Sequence, residues 1–250
     1  MDILVVLEES QGSLHRLSKE AIVGAQKLGG KIVALAIGRH CDQIADECSS
    51  YDLENIITVN HELVSTYNAD GYLHIIKKVI EANSPKIIVA GHTYQTRDFI
   101  PRVSAALDIP FIPDIISFSD SGFVKQVLNA KLNASTSFST DQVIMSFQSA
   151  AFSEDNIMSG SCSAKAFDVN LDSSIVRSKS EDPFQEDAGD VDLESAELLV
   201  SVGRGIEKEE NIPMAFELAK VLGAEVSASR PVVDSGWIDS FRQVGSSGSN

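Results

Sequence analysis

The 250 residues suffice for one or two domains, and a hydrophobic content of 43% with mean hydropathy near zero is ordinary for a globular chain with a large core. Twenty Lys and Arg against 36 Asp and Glu leave a formal charge of −16, which repels phosphate backbones and anionic lipid surfaces and argues against nucleic acid or a membrane surface as partner. No apolar run approaches the ~18 residues of a membrane span, and residues 1–7 are too short and too acidic for a signal peptide, so neither stable membrane insertion nor secretion by that route is expected.

Residues 2–7 read as a continuous apolar strand. From residue 13 to residue 28, Leu14, Leu17, Ala21, Ile22, Ala25 and Leu28 recur at helical spacing until Gly29-Gly30 ends the pattern. Residues 31–37 predict the next strand, a short helix passes through Ile44 and Ala45, and residues 55–59 predict a third strand. A helix over residues 70–83 follows, with Leu73, Ile76, Val79 and Ile80 on one face and Ser84-Pro85 as its stop. Residues 86–91 are again strand and residues 97–107 helix. Strands apolar along their whole length and separated by helices predict a doubly wound, mostly parallel sheet covered on both faces.

The pattern then changes. Residues 115–118, 123–128, 131–138 and 143–147 are short segments separated by turn residues such as Asp120-Ser121-Gly122, and they predict an antiparallel meander added to the parallel sheet. Gly38 and Gly91-His92-Thr93 fall at strand ends, where an open α/β sheet holds its ligands, although neither loop is a glycine-rich phosphate cradle. His15, His40, His61, His74 and His92 lack the paired spacing of metal ligands. Cys41, Cys48 and Cys162 are odd in number, widely spaced and without a C-x-x-C pair, so they predict reduced, mostly buried thiols.

Residues 181–197 carry eight acidic side chains and no basic one, with Pro183 and Gly189 among them. Such a segment repels itself and cannot bury apolar area, so it predicts an extended connector, with one domain over residues 1–188 and a second over residues 189–250. In the second domain a strand over residues 198–202 runs into Gly203-Arg204-Gly205, a helix over residues 211–222 follows, and a further strand starts at Glu225. The loop lacks the G-x-G-x-x-G dinucleotide spacing, because Lys208 stands where the third glycine would be. Glu207, Glu209 and Glu210 suit the helix dipole but oppose a bound phosphate. By itself the loop reads as a tight strand-to-helix turn.

Arg204, Arg230 and Arg242 are the only arginines after Arg177, and scattered solvent-facing arginines are the default reading. Pro231 biases Arg230 toward an extended conformation, which would aim its guanidinium in a defined direction. A planar cation so placed can stack on an aromatic ring system and stabilise negative charge accumulating there. Gly245-Ser246-Ser247-Gly248 reads either as a flexible linker or as hydroxyls between glycines that let backbone approach a flat ligand.

Taken in order, Ser201-Val202-Gly203-Arg204-Gly205, Glu210-Asn211, Ala228-Ser229-Arg230-Pro231-Val232-Val233-Asp234-Ser235-Gly236 and Arg242-Gln243-Val244-Gly245-Ser246-Ser247-Gly248 follow the patterns V-S-G-G-R-G, E-N, G-A-S-R-x-V-V-D-x-G and R-Q-V-G-Q-T-G. In these the chain resembles the alpha subunit of the electron-transfer flavoproteins, strongly from Val191 onward and more loosely before it, where Pro101-Arg102-Val103-Ser104-Ala105-Ala106-Leu107 and Pro113-Asp114 also fit. The resemblance implies an incomplete Rossmann-like FAD-binding domain over residues 189–250. Arg230 would stack over the isoalloxazine and raise its reduction potential, and Ser247, where the family has Thr, would donate a hydrogen bond near N5. Arg204, Ser229, Val244, Gly245 and Ser246 would supply the remaining contacts to FAD. The family's S-G-A-I-Q-H segment, which holds the FAD phosphates, has no counterpart among the 250 residues, so the resemblance predicts a C-terminally shortened alpha subunit.

The same resemblance implies an electron carrier without substrate turnover of its own, in a heterodimer whose beta subunit carries AMP and packs against a nucleotide-free first domain. Electrons would come from acyl-CoA and related dehydrogenases and pass to a quinone oxidoreductase, in the bacterial cytoplasm or the mitochondrial matrix. Two other classes stay open on the sequence: a stress-protein-like nucleotide-binding module using the first sheet, and a cofactor-free structural partner.

Overall fold

In the computed structural model, which describes residues 1–119, 122–178, 193 and 196–245, the chain divides into two units, Met1–Glu181 and Asp182–Asn250. Gly189 and most of the acidic connector lie outside the described residues.

The first unit opens with β1 (Ile3–Val6), all four residues buried, and a small hairpin of β2 (Glu9–Ser10) and β3 (Ser13–Leu14). The helix expected from residue 13 therefore begins later, as α1 (Arg16–Leu28). Gln11 and Gly12 both take positive φ, the Glu9 carboxylate accepts the Gly12 N–H at 2.6 Å, and His15 Nδ1 accepts the Leu17 N–H as the helix cap. Local turn chemistry thus outweighs the periodicity of Leu14. There follow β4 (Ile32–Ile37), α2 (Cys41–Cys48), β5 (Asn55–Val59), α3 (Ala69–Asn83), β6 (Ile87–Gly91) and α4 (Tyr94–Leu107). Helix α4 starts three residues earlier than its pattern suggests because the Thr93 hydroxyl accepts the Thr96 N–H and caps it.

Strands β7 (Phe111–Ser119), β8 (Gly122–Val127) and β9 (Leu132–Thr136) form the expected antiparallel run, but β10 (Val143–Phe147) does not belong to it. It returns to the middle of the sheet, parallel to β6 on one side and β7 on the other. All five of its residues are buried, the signature of a strand covered on both faces. A last strand, β11 (Ala164–Ala166), adds parallel to β5. The nine-stranded order is β11-β5-β4-β1-β6-β10-β7-β8-β9.

Alternate residues of the central strands sort onto two cores. Ile3, Val5, Ala34, Ile56, Val89 and Met145 face α1 and α2, where Ile22, Ala25 and Ile44 meet them. Leu4, Val6, Leu35, Ile57, Ile88 and Ile144 face α3 and α4, against Ile76, Val79, Phe99 and Val103. Gly24 lets α1 lie directly on β10, since a Cβ there would run into the Phe147 ring.

The second unit is a three-stranded parallel sheet, β12 (Leu199–Val202), β13 (Glu225–Ser229) and β14 (Gln243–Val244), in that order. Helix α5 (Ile212–Leu222) crosses from β12 to β13, with Pro213 in its first turn and Gly223 in the left-handed region closing it. A short helix α6 (Arg230–Asp234) follows β13. Val202, Ile212, Ala215, Ala219, Val226, Ala228, Val232 and Ile238 make its core.

Candidate functional site

The parallel register of the small sheet brings three loops to one edge. Val202 pairs with Ala228, and Ser229 with Val244, so the chain leaves β12 at Gly203, β13 at Arg230 and β14 at Gly245, side by side at the carboxyl ends. After Gly203 a single turn over Arg204–Ile206 closes with Glu207 at φ 69°, and the Asn211 amide donates to the Ile206 carbonyl at 2.9 Å. A Cβ at Gly203 or Gly205 would meet nothing within 4 Å, and neither takes positive φ, so no packing or strain among the described residues requires glycine there. Gly245, at φ 102°, does require it.

Of the residues proposed from the motif, Arg204, Ser229, Arg230, Val244 and Gly245 thus gather at this edge, while Ser246 and Ser247 lie outside the described residues. The expected extended conformation of Arg230 is not found. Ser229 is the extended residue (φ −74°, ψ 152°), and Arg230 opens α6 with Pro231 in the first turn, where the missing proline N–H has no intrahelical partner to lose. Arg230 is consequently fixed by helical spacing: its Nε lies 3.5 Å from Asp234 Oδ2, one turn on, and its side chain is 65% exposed. Arg204 is exposed as well. Both arginines are therefore solvent-exposed residues of the loops that leave this edge.

Arg242 behaves differently. Its side chain is only 16% exposed, Nη1 donates to the Val226 carbonyl at 2.9 Å and to Glu225 Oε2 at 3.4 Å, and the guanidinium sits 5.5 Å from the ring centres of both Phe216 and Phe241. The motif includes Asp234, but it signals neither the pairing of Asp234 with Arg230 nor the partners of Arg242. The first would have followed from the i,i+4 spacing had residues 230–234 been read as helix; the second depends on contacts with β13 and α5, which no local pattern shows.

The carboxyl edge of the large sheet is built in the opposite sense. The strand order reverses between β1 and β6, the usual crevice of such folds. There Thr93 donates its hydroxyl to the Glu8 carboxylate, and the Glu8 N–H donates to Ser18 Oγ at 2.8 Å. Burial pushes the Glu8 carboxyl above the usual range, with the Thr93 bond opposing. A Cβ at Gly91 would lie 2.6 Å from Leu17 Cβ and 2.7 Å from its carbonyl oxygen, so α1 rests directly on β6. At Gly38 the Tyr72 hydroxyl, which donates to the Ile37 carbonyl at 3.2 Å, and the Val64 carbonyl fill the space beside the turn. Both strand ends singled out in the sequence are filled by the chain's own side-chain and backbone atoms.

Three of the five histidines have structural partners too. His15 and His61 each accept an N–H two residues on at 3.1 Å, and His92 shares a 2.7 Å bond with Ser146, burial holding its imidazole below the usual range. No group of three or more His, Cys, Asp and Glu that could hold a metal ion exists among the described residues. The three cysteines are free, Cys41 and Cys48 buried and Cys162 partly so. Burial pushes the Cys41 thiol up to about 11 and Cys48 to about 12, which keeps both unreactive. Among the described residues no helix is long and apolar enough to cross a membrane.

Comparison with known proteins bears on both units. Residues 3–172 match the electron transfer flavoprotein domain and residues 192–250 the electron transfer flavoprotein FAD-binding domain. The chain is 31% identical to the electron transfer flavoprotein subunit alpha of Bacillus subtilis, over 98% of its own length and 77% of that protein. It is 30% identical to the subunit of the same name from Thermoanaerobacterium thermosaccharolyticum, over 99% and 78%. A protein of Anaerotignum propionicum named acryloyl-CoA reductase electron transfer subunit beta is 28% identical, again over 99% and 78%.

Proposed function

Since this chain belongs to the electron transfer flavoprotein alpha-subunit family, whose cofactor is FAD, we propose that the carboxyl edge of its β12-β13-β14 sheet holds the isoalloxazine end of that cofactor. The bound flavin supplies reversible one- and two-electron chemistry, which no amino-acid side chain here offers. The observation that carries the reading is the register that sets Gly203, Arg230 and Gly245 side by side. The open space over Gly203 and Gly205 suits a flat ligand, and two exposed guanidinium groups suit one that gains negative charge. The carboxylates of Glu207, Glu209 and Glu210 make the β12 turn a poor phosphate seat, so the ring system is assigned here in preference to the pyrophosphate.

In this reading Arg230 lies over the ring system and raises its potential, and Asp234 restrains the guanidinium from the next turn. Arg204, Ser229, Val244, Gly245 and Ser246 complete the contacts, and Ser247 donates a hydrogen bond near N5. Residues 1–188 form a scaffold domain and residues 189–250 the flavin-binding one. The beta subunit is the partner and carries AMP; the first unit, with Glu8 and Thr93 bonded across its crevice, serves as scaffold. A carboxylate at that point opposes phosphate and weakens the alternative of a nucleotide-binding module.

The heterodimer moves electrons and turns over no substrate of its own. It takes electrons from acyl-CoA and related dehydrogenases and delivers them to a quinone oxidoreductase, in the bacterial cytoplasm or the mitochondrial matrix. The relative named for acryloyl-CoA reductase supports a CoA-thioester enzyme at one end of this exchange. The test is to purify the chain with its beta subunit in the presence of FAD, count flavin per heterodimer, and add an acyl-CoA dehydrogenase with its substrate. One FAD per heterodimer, bleached by that addition, is expected; a heterodimer that retains no flavin overturns the proposal and favours a cofactor-free structural partner.

A further inference from the structure

We propose that Arg242 is a positioning residue of the flavin edge: it fastens β14, and with it the Val244-Gly245 turn, to β13 and α5. The inference rests on the assignment of that edge to FAD. Strand β14 has two residues and only two register pairs with β13, Gln243 opposite Ala228 and Val244 opposite Ser229. So short a strand holds its register weakly, and a slip of one residue would turn Val244 to the other face of the sheet and displace Gly245. Arg242 immediately precedes it and supplies what the ladder lacks.

Its Nη1 makes a charge-assisted bond of 2.9 Å to the Val226 carbonyl, on the first turn of pleat in β13, and reaches the Glu225 carboxylate at 3.4 Å. Its Cζ lies over the rings of Phe216 of α5 and Phe241 of its own chain segment, 5.5 Å from each ring centre. One side chain thereby links three elements, and a planar cation lying over two rings is a contact that lysine cannot reproduce. Arg204 and Arg230, the other arginines of this unit, are exposed and take no part in such a link. Arg242 acts on the cofactor through β14, not by contact.

The full chain in complex with its beta subunit provides the test, with Arg242→Lys, Arg242→Ala and Phe216→Leu compared with the parent. FAD dissociation, the visible circular dichroism of the bound flavin and the unfolding midpoint of the FAD-free complex are measured on each. Arg242→Lys is expected to bind FAD about tenfold more weakly and to alter the flavin dichroism, the size of effect that follows loss of an outer partner of a ligand-holding group. Phe216→Leu, at an exposed helix position, moves both in the same direction by a smaller factor. A merely structural role would lower the unfolding midpoint while the folded fraction kept parental FAD affinity and dichroism, and that result overturns the proposal. Should Arg242→Ala fail to fold, the lysine and Phe216 variants decide the matter. A parent complex that binds no FAD refutes the flavin assignment instead.

Discussion

Replacing Arg230 with alanine separates the charge at the proposed flavin edge from the fold that carries it. The side chain is 65% exposed and its ion pair with Asp234 is an exposed i,i+4 contact, so the fold loses only about 0.3–0.5 kcal/mol. A cation over an aromatic ring acts within about 6 Å of its centre. At that separation a unit charge contributes about 0.7 kcal/mol in the dielectric of water and about 2.8 kcal/mol at an effective dielectric of about 20. For a one-electron couple these correspond to about 30 and about 120 mV. A cofactor lying on the guanidinium excludes water from one side and moves the value from the first figure toward the second. Arg230→Ala should therefore lower the one-electron potential of the bound flavin by about 30–120 mV, and Arg230→Lys, which keeps charge but not the planar face, by less. Spectroelectrochemical titration of the heterodimer reads the shift, and added salt should shrink it. A variant carrying full FAD with a potential displaced by less than half the smaller figure refutes the role of Arg230.

Other changes test other links of the same argument. Asp234→Asn removes the carboxylate that offsets Arg230 and should raise the flavin potential by less than Arg230→Ala lowers it; a fall in the same titration would sink that account. Gly91→Ala places a methyl 2.6 Å from Leu17 Cβ and 2.7 Å from its backbone oxygen, which no rotamer relieves, and should cost about 1–3 kcal/mol in urea unfolding. An unchanged midpoint would show that α1 does not rest on β6. Glu8→Gln tests the buried carboxylate. Its pKa is raised in the folded chain, so the stability tied to its proton is complete below the unfolded value and lost as pH rises through the folded one. The glutamine variant, which still offers Thr93 a partner, should be the more stable near neutral pH, with the gap closing as pH falls toward about 4. Thermal unfolding across that range reads the difference, and a gap independent of pH would contradict it.

The parallel core was legible because burial on both faces leaves strands apolar from end to end, as residues 3–6 and 32–37 show. Strand β10 carries the same mark in Val143-Ile144-Met145-Ser146-Phe147, yet its turn-rich neighbours in sequence make it read as part of the meander. Only the return path past β7, β8 and β9 reveals its place between β6 and β7. At the proposed flavin edge the motif supplied the residues and the register supplied their proximity. Arg230 shows how a local rule can mislead: the residue before proline usually avoids helix, but a first-turn proline suits a helix start, and that geometry brings Asp234 into reach. The motif contains Arg242 but not its contacts, because its partners Val226 and Phe216 are distant in sequence and unremarkable in type.

The two sheets follow one architectural rule and use it to opposite ends. In each, parallel strands deliver loops to a carboxyl edge where a ligand would ordinarily sit. In the larger sheet the chain fills that edge itself: α1 lies on Gly91, Tyr72 closes the Gly38 turn, and the Glu8 carboxylate bonds Thr93 across the crevice. An incoming phosphate would have to break that bond and face a buried carboxyl group. In the smaller sheet the edge carries two exposed guanidinium groups and two glycines that nothing in the described residues needs. Arg204 and Arg230 stay solvated at that open edge, which suits an anionic or charge-accumulating group supplied from outside the polypeptide. That asymmetry supports the proposal that the flavin lies at the second unit and that the first serves as scaffold.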